Sequence, residues 1–364
     1  MSDTRIPLSE PALLGNEGAY LQECVQTGFV SSVGAFVDRF EKAFAARVGA
    51  PHAVACASGT AALHLALRVL DLEPGDEVFV SSLTFIASAN PILYERATPV
   101  LVDSELRTWN LDPALVCEEL DRRARLGLKQ PKAIIAVHLL GHPIELRELV
   151  QACERHGVVL IEDAAEALGA RYEGREVGTF GRLGCFSFNG NKIVTAGGGG
   201  MVVTADAKLA ARVKHLSTQA KLAAVDYRHD EVGYNYRLTN IAAAVGLAQL
   251  EQLDTFLQAK RTIAERYDRA FNGLTLPPRL HESSYWLYSI ELPNREAVRT
   301  RLASHQIEAR PIWTPLHLIP FLAAAPRLGS GKIAEGLHAR ALSLPSSVRL
   351  TEAEQNRVIE AVLT

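Results

Sequence analysis

One lysine, Lys192, stands in the stretch FSFNGNKIVTAGGGG (Phe186–Gly200), and no acidic residue occurs anywhere from Arg182 to Ala205. An ammonium group taken out of water without a counter-charge is costly, or it gives up its proton. Two readings follow for Lys192. It is an exposed loop residue, or it is an amine held near neutrality as a nucleophile, the form that makes a Schiff base. Three other stretches carry groups of matching type. In ASGTAALHLAL, Ser58, Gly59 and Thr60 open a helical pattern of Leu63, Ala66, Leu67 and Leu70. Free backbone N–H groups at such a turn form an anion site, most naturally for phosphate; an ordinary N-cap serine gives the same pattern. In LIEDAAEALGA, Asp163 closes an apolar run read as a strand, so its carboxylate faces the crevice where open α/β sheets bind ligands, or else caps a helix. Glu162 points the other way by strand alternation. In SSLTFIASAN, Phe85 lies just past a strand end, placed to stack on a flat ring or to pack in the core.

A phosphate cradle, a stacking aromatic, a strand-end acid and an amine make up what pyridoxal 5′-phosphate requires. The rival phosphate motifs fail. The stretch Gly184 to Lys192 departs from the P-loop in spacing and lacks its Ser/Thr, because Ile193 follows the lysine. No G-x-G-x-x-G follows a strand. His138 and His142 in HLLGH are four apart but straddle a strand end, so no metal is expected. Arg310, Trp313 and His317 sit on a proline-rich loop, and Trp313 and His317 are candidate substrate contacts. Gly197–Gly200 lets backbone pass near the lysine, or is simply a flexible turn.

These groups need a scaffold, and the sequence supplies an α/β pattern. EVFVSS, KAIIAVHLLG and GVVLIEDAA are strand-like, the latter two as buried apolar runs. Between them PIELRELVQACERHG has helical periodicity, with Pro143 suited to its first turn and Gly157 to its end. Strand, helix, strand predicts a right-handed crossover and a parallel pair. A long helix is expected from an N-cap at Thr239 through the stretch ending RYDRAF. A second α/β pattern follows Gly273 and ends in a helix opened by a Thr351/Glu354 capping box. The expected division is a large cofactor domain, residues 1–250, and a smaller carboxyl-terminal α/β domain, residues 251–364. The 364 residues carry a net charge of −3 and are 48% hydrophobic, without a basic run, which disfavours nucleic acid and anionic membranes as partners. Five scattered cysteines without a C-x-x-C pair, a polar amino terminus and no long apolar span suggest a cytoplasmic protein.

Taken together, the motifs resemble the DegT-type sugar-nucleotide aminotransferases, within the aspartate-aminotransferase-like PLP fold (fold type I). The likeness extends over nearly the whole chain: GNEGAYLQECVQTGFVSSVGAFVDRFE, ASGTAALHLAL, TFIASANPILY, VHLLGHP, IEDAAEALGA, FSFNGNKIVTAGGGG and GYNYRLTNIAAAVGLAQLEQL. The resemblance implies that Lys192 is the Schiff-base lysine and proton shuttle, and that Asp163 pairs with the pyridinium nitrogen. It implies a phosphate site of Ser58, Gly59, Thr60 and Ser187, stacking by Phe85, and further cofactor contacts from Glu166 and Asn189. It places Asn235 at the cofactor of a neighbouring subunit, which implies a homodimer with shared active sites. Glu166 and Asn189 depart from the commonest pattern, which has Gln or His and His there. Glu166 and the SSVG segment resemble the branch that aminates C4 of UDP-linked 4-keto-6-deoxy sugars, with L-glutamate as donor, as on legionaminic acid-type routes to surface glycans. GDP-perosamine-type and C3-specific amination, or a non-catalytic regulator with the same fold, are the alternatives. Relatives that dehydrate carry His in place of the lysine, so Lys192 argues for amination.

Overall fold

The apolar runs become the middle of an eight-stranded sheet in the computed structural model, which describes residues 5–222 and 227–364. Residues 1–4, part of the polar amino terminus noted above, lie outside the described residues. The strands among the described residues are β1 (His52–Cys56), β2 (Glu77–Ser81), β3 (Thr98–Val102), β4 (Ala133–Val137), β5 (Val159–Asp163), β6 (Arg171–Tyr172), β7 (Arg175–Glu176), β8 (Leu183–Ser187), β9 (Gly200–Thr204), β10 (Tyr288–Glu291), β11 (Arg310–Pro311), β12 (Arg327–Leu328) and β13 (Ala341–Leu344). The large sheet has the order β1-β9-β8-β5-β4-β2-β3-β12. β9 runs antiparallel to both its neighbours and every other pairing is parallel. All five residues of β4 are buried, as expected for a strand covered on both faces. Alternation divides them: Ile134 and Ala136 join one apolar cluster, Ala133, Ile135 and Val137 the other.

β4 and β5 pair in parallel across the expected crossover, but its helix begins at Arg147, beyond Pro143. Residues 138–144 are held in another shape by side chains. Asn110 accepts from Leu139 N (2.8 Å) and donates to His142 O (3.0 Å), and Ile144 N donates to His138 Nδ1 (3.3 Å). Within this turn Leu140 adopts φ 58°, an uncommon conformation for a branched residue. The long helix expected from Thr239 is two helices, Asn240–Leu250 and Leu253–Ala270. Thr239 does cap the first, accepting from Ala242 N. The joint is set by tertiary bonds: the buried Gln249 amide donates to Ala12 O (2.8 Å), and Glu251 accepts from Asn16 Nδ2 and Tyr20 OH, both at 2.7 Å.

Beyond the second helix, β10, β13 and β11 form an antiparallel sheet with its own apolar core, which includes Ile6 from near the amino terminus. The Thr351/Glu354 capping box opens the last helix. β12, late in the chain, returns to the edge of the large sheet beside β3.

Candidate active site

β1, β2, β5 and β8 point the same way, and the loops leaving their carboxyl ends meet in a cavity of about 370 Å³. Ser58 follows β1; Thr84, Phe85 and Ser88 follow β2; Asp163 ends β5, with Ala165 and Glu166 beyond it; Ser187 ends β8, with Asn189, Asn191 and Lys192 beyond it; Gly198 and Gly199 lead into β9. Trp286, Arg310 and Trp313 from the carboxyl-terminal part close the far wall.

At the cavity floor the helix Gly59–Arg68 presents its amino end. Ser58 caps it, its hydroxyl accepting from Ala61 N (3.0 Å). The amides ahead of Ala61 are among those a helix cannot satisfy itself, at its positive dipole end. Backbones crowd here. A Cβ on Gly59 would lie 2.7 Å from Ser187 Cβ, and one on Gly200 would lie 2.3 Å from Ser58 O. Only glycine lets β9 pass so near this turn.

Asp163 is buried. Its Oδ2 accepts from Ser88 Oγ (2.7 Å) and its Oδ1 from Ala165 N (3.1 Å), while Thr84 Oγ1 lies 2.8 Å from Ser88 Oγ. Burial pushes its carboxyl above the usual carboxylate range, opposed by Ser88, Ala165 and the charge of Lys192. Glu162, on the opposite side of β5 as alternation requires, accepts from Gly178 N, Phe180 N and Gly181 N and pairs with His138 Nε2 (3.0 Å).

Lys192 is mostly buried, with 13% of its side chain exposed. Its Nζ lies 3.8 Å from Glu166 Oε1 and 3.7 Å from the centroid of the Trp286 ring. Burial lowers its pKa from the ordinary lysine value, opposed by Glu166 and Asp163. Burial raises that of Glu166, opposed by Lys192 and by the amide of Leu140, which donates to Oε2 at 2.7 Å. The strained turn at Leu140 thus aims an N–H at this carboxylate.

Of the residues singled out from sequence, Ser58, Gly59, Thr60, Phe85, Asp163, Glu166, Ser187, Asn189, Lys192 and Trp313 all line the cavity. Phe85 is half-exposed and packs on Trp313 with ring centroids 5.0 Å apart. Asn235 lies outside this cavity on the surface, its nearest side-chain partner being Arg237. His317 lies elsewhere too: its ring is buried, with Ser82 Oγ at 2.6 Å and Glu335 Oε1 at 3.1 Å taking up its two nitrogens. His138 is spent on Glu162, and among the described residues no cluster of His, Cys, Asp or Glu could hold a metal. Sequence reasoning passed over Ser88, Asn191 and Trp286. Ser88 sits in the quoted SSLTFIASAN stretch and could have been found as a hydroxyl near a strand end. Nothing local marks Trp286.

The donor set suits pyridoxal 5′-phosphate: open amides at a helix amino end, an aromatic beside them, a buried acid with hydrogen-bond capacity to spare, and an amine tending to neutrality.

Comparison with known proteins gives a consistent result. Residues 12–363 match the DegT/DnrJ/EryC1/StrS aminotransferase family. EpsN of Bacillus subtilis (strain 168), which bears the name of a pyridoxal phosphate-dependent aminotransferase, is 45% identical over 370 residues, spanning 99% of this chain and 95% of its own. GDP-perosamine synthase of Caulobacter vibrioides is 44% identical, with 100% and 99% of the two chains covered. The UDP-N-acetyl-3-dehydro-alpha-D-glucosamine 3-aminotransferase of Acidithiobacillus ferrooxidans is 38% identical over 86% of this chain and 84% of its own. A crystal structure of a DegT DnrJ EryC1 StrS aminotransferase from Brucella abortus superposes with a TM-score of 0.90 at 32% identity, covering 95% of this chain and 94% of that one.

Proposed function

The chain belongs to the DegT/DnrJ/EryC1/StrS aminotransferase family and is a pyridoxal 5′-phosphate-dependent sugar aminotransferase; on that premise we propose that it transfers the amino group of L-glutamate to C4 of a nucleotide-linked 4-keto-6-deoxy sugar. The observation that carries this reading is the placing of Lys192, Asp163 and the amino end of the helix Gly59–Arg68 around one cavity. When bound, the cofactor supplies an electron sink beside the reacting carbon and carries the amino group between two half-reactions.

The chain's own residues do the rest. Ser58, Gly59, Thr60 and Ser187 would hold the phosphate on backbone and hydroxyl donors. Phe85 would cover the ring, with Glu166 and Asn189 at its edge. Asp163, kept in place by Ser88 and Ala165, would hold a proton on the ring nitrogen. Lys192 Nζ takes a proton from the substrate carbon in the first half-reaction and returns one in the second. A general base works best with its pKa near the working pH, and burial moves Lys192 in that direction. The neighbouring Glu166 and Asp163 carboxylates limit how far it moves. Trp313, which lines the wall, would touch the sugar nucleotide. Asn235, exposed and outside its own cavity, fits a contact to a partner subunit's site.

The nucleotide is UDP on the strength of Glu166 and the SSVG segment. A GDP-linked substrate is the second reading, favoured by the 44% identity to a GDP-perosamine synthase over complete lengths. Similarity to the C3-specific Acidithiobacillus enzyme is lower and partial, which favours C4.

A panel of UDP-, GDP- and dTDP-linked 3-keto and 4-keto sugars, each offered with L-glutamate, tests the proposal. Turnover on a 4-keto-6-deoxy sugar is expected; turnover confined to 3-keto sugars would refute the positional assignment. Borohydride treatment of the yellow holoenzyme should leave a pyridoxyl group on the Lys192 peptide, and a label on any other lysine would refute the role of Lys192.

A further inference from the structure

Lys260 is a buried lysine that the chemistry above does not use. It lies on the helix Leu253–Ala270, does not line the cavity, and is 3% exposed. Its Nζ donates to two backbone carbonyls, Ser346 O at 2.7 Å and Trp286 O at 3.0 Å. Among the described residues no carboxylate shifts it. Burial alone acts, lowering its pKa to about 7. An amine placed this way is costly to desolvate, and removing it would leave both buried carbonyls without this donor.

Both carbonyls lead to the same atom. From Trp286 the route is one side chain long: its indole Nε1 donates to Asn191 O at 2.7 Å, and its ring lies 3.7 Å from Lys192 Nζ. From Ser346 the route passes through the amino-terminal segment. Ser346 N donates to Leu8 O (2.8 Å), and the next residue, Ser9, donates its hydroxyl to the same Asn191 O at 3.1 Å. Asn191 immediately precedes Lys192. Two segments distant in the chain, at Trp286 and at Ser9, therefore meet on the peptide that carries the amine, and the Lys260 side chain ties the first to Ser346, whose N–H holds the second.

We propose that Lys260 is the positioning residue of Lys192, setting the Trp286 ring and the Asn191 carbonyl that together fix where the working amine sits. This rests on the reading of Lys192 given under Proposed function. Charged or neutral, Lys260 keeps at least two N–H donors, so both carbonyls stay served. Misplacing a reacting group by about 1 Å can cost about a hundredfold in rate, so a clamp of this kind acts on turnover more than on substrate binding.

The test compares Lys260→Met, which removes the donors, with Lys260→Gln, which keeps two N–H donors on a shorter stem. Gln355→Met is the control. Gln355 is also buried and bonds a carbonyl of the same helix (Ile263 O, 2.8 Å), but it touches neither route. Two quantities are read on the full-length protein. One is the kcat and KM of the holoenzyme with glutamate. The other is the rate at which Lys192 in the cofactor-free chain reacts with an amine-modifying reagent, followed by peptide mass spectrometry. For Lys260→Met the expected outcome is a fall in kcat of about tenfold or more with KM little changed, together with a changed labelling rate of Lys192. Lys260→Gln should fall between that variant and the parent, and Gln355→Met should match the parent in both readouts. If Lys260→Met does not fold, Trp286→Phe replaces it, since it cuts the same route while keeping a ring; unchanged Lys192 labelling there would overturn the proposal. So would a Lys260→Met protein that loses only thermal stability, as the control does. Failure of the underlying reading is distinguishable, because borohydride would then not fix the cofactor to Lys192 in the parent.

Discussion

Lys192 meets two opposing demands. Burial favours its neutral form, and Glu166 and Asp163 favour its charged one. Neither carboxylate lies near it in sequence; Glu166 reaches 3.8 Å only because β5 and β8 are neighbours in the sheet. The two acids are themselves biased toward protonation by the same burial, so the three groups share a limited number of charges. Replacing the amine tests its part directly. Lys192→Ala should lower turnover by roughly 10²–10⁴-fold, the range for loss of a positioned general acid–base group. It should still bind cofactor non-covalently. Steady-state assay and the absorbance of the reconstituted variant check both points, and near-normal turnover would remove Lys192 from the mechanism.

Two elements carry most of the positioning. The first is β9, whose start passes beside the Ser58–Gly59 turn so closely that a methyl group at position 200 would overlap the Ser58 carbonyl. Gly200→Ala is expected to cost about 1–3 kcal/mol of stability through overpacking, and to weaken cofactor binding by displacing the helix amino end. Urea unfolding and an absorbance titration of the cofactor measure the two effects; full affinity would show that the turn can shift without harm. The second is the helix Leu253–Ala270 with Lys260. With a folded pKa of about 7, below its unfolded value, Lys260 holds fewer protons in the folded chain between pH 7 and the usual lysine range. The unfolded chain binds more protons in that window, so the contribution of Lys260 to stability improves as pH rises through it and is least favourable below pH 7. Relative to Lys260→Met, the parent should therefore gain stability from pH 7 to pH 9, by at most about 1.4 kcal/mol per pH unit. Urea midpoints at each pH read the difference, and a flat difference would mean the amine is not buried as described.

At the scale of the whole molecule, the cavity draws on both sheets' surroundings, with Trp286, Arg310 and Trp313 brought in from the carboxyl-terminal part. Asn235 remains outside it. If Asn235 serves a partner's site, chains carrying Lys192→Ala and Asn235→Ala, each impaired alone, should regain activity when mixed under conditions that let subunits exchange. One site of the mixed dimer then has both residues intact. Analytical ultracentrifugation should give about twice the 39.6 kDa chain mass, and absence of recovery in a mixture shown to exchange would place Asn235 out of the active site. Exposed apolar side chains such as Leu13, Leu14, Val25 and Val33 are available for such an association.

The features legible in the amino-acid sequence are those set by neighbours along the chain. The buried strands, the cap at Thr239, the capping box at Thr351, the small-residue turn at Ser58–Gly59 and the strand-end place of Asp163 all follow from periodicity and from backbone groups left open at element ends. These local rules reach three or four residues. They therefore extended one helix across Glu251 and started another at Pro143, where side chains from elsewhere end or delay it. Which groups face Lys192 is a matter of long-range packing. Glu166, Trp286 and, through Trp286, Lys260 come from segments far apart in sequence. Their meeting depends on strand order and on the fold-back of the carboxyl-terminal part, and neither leaves a period in the residues themselves.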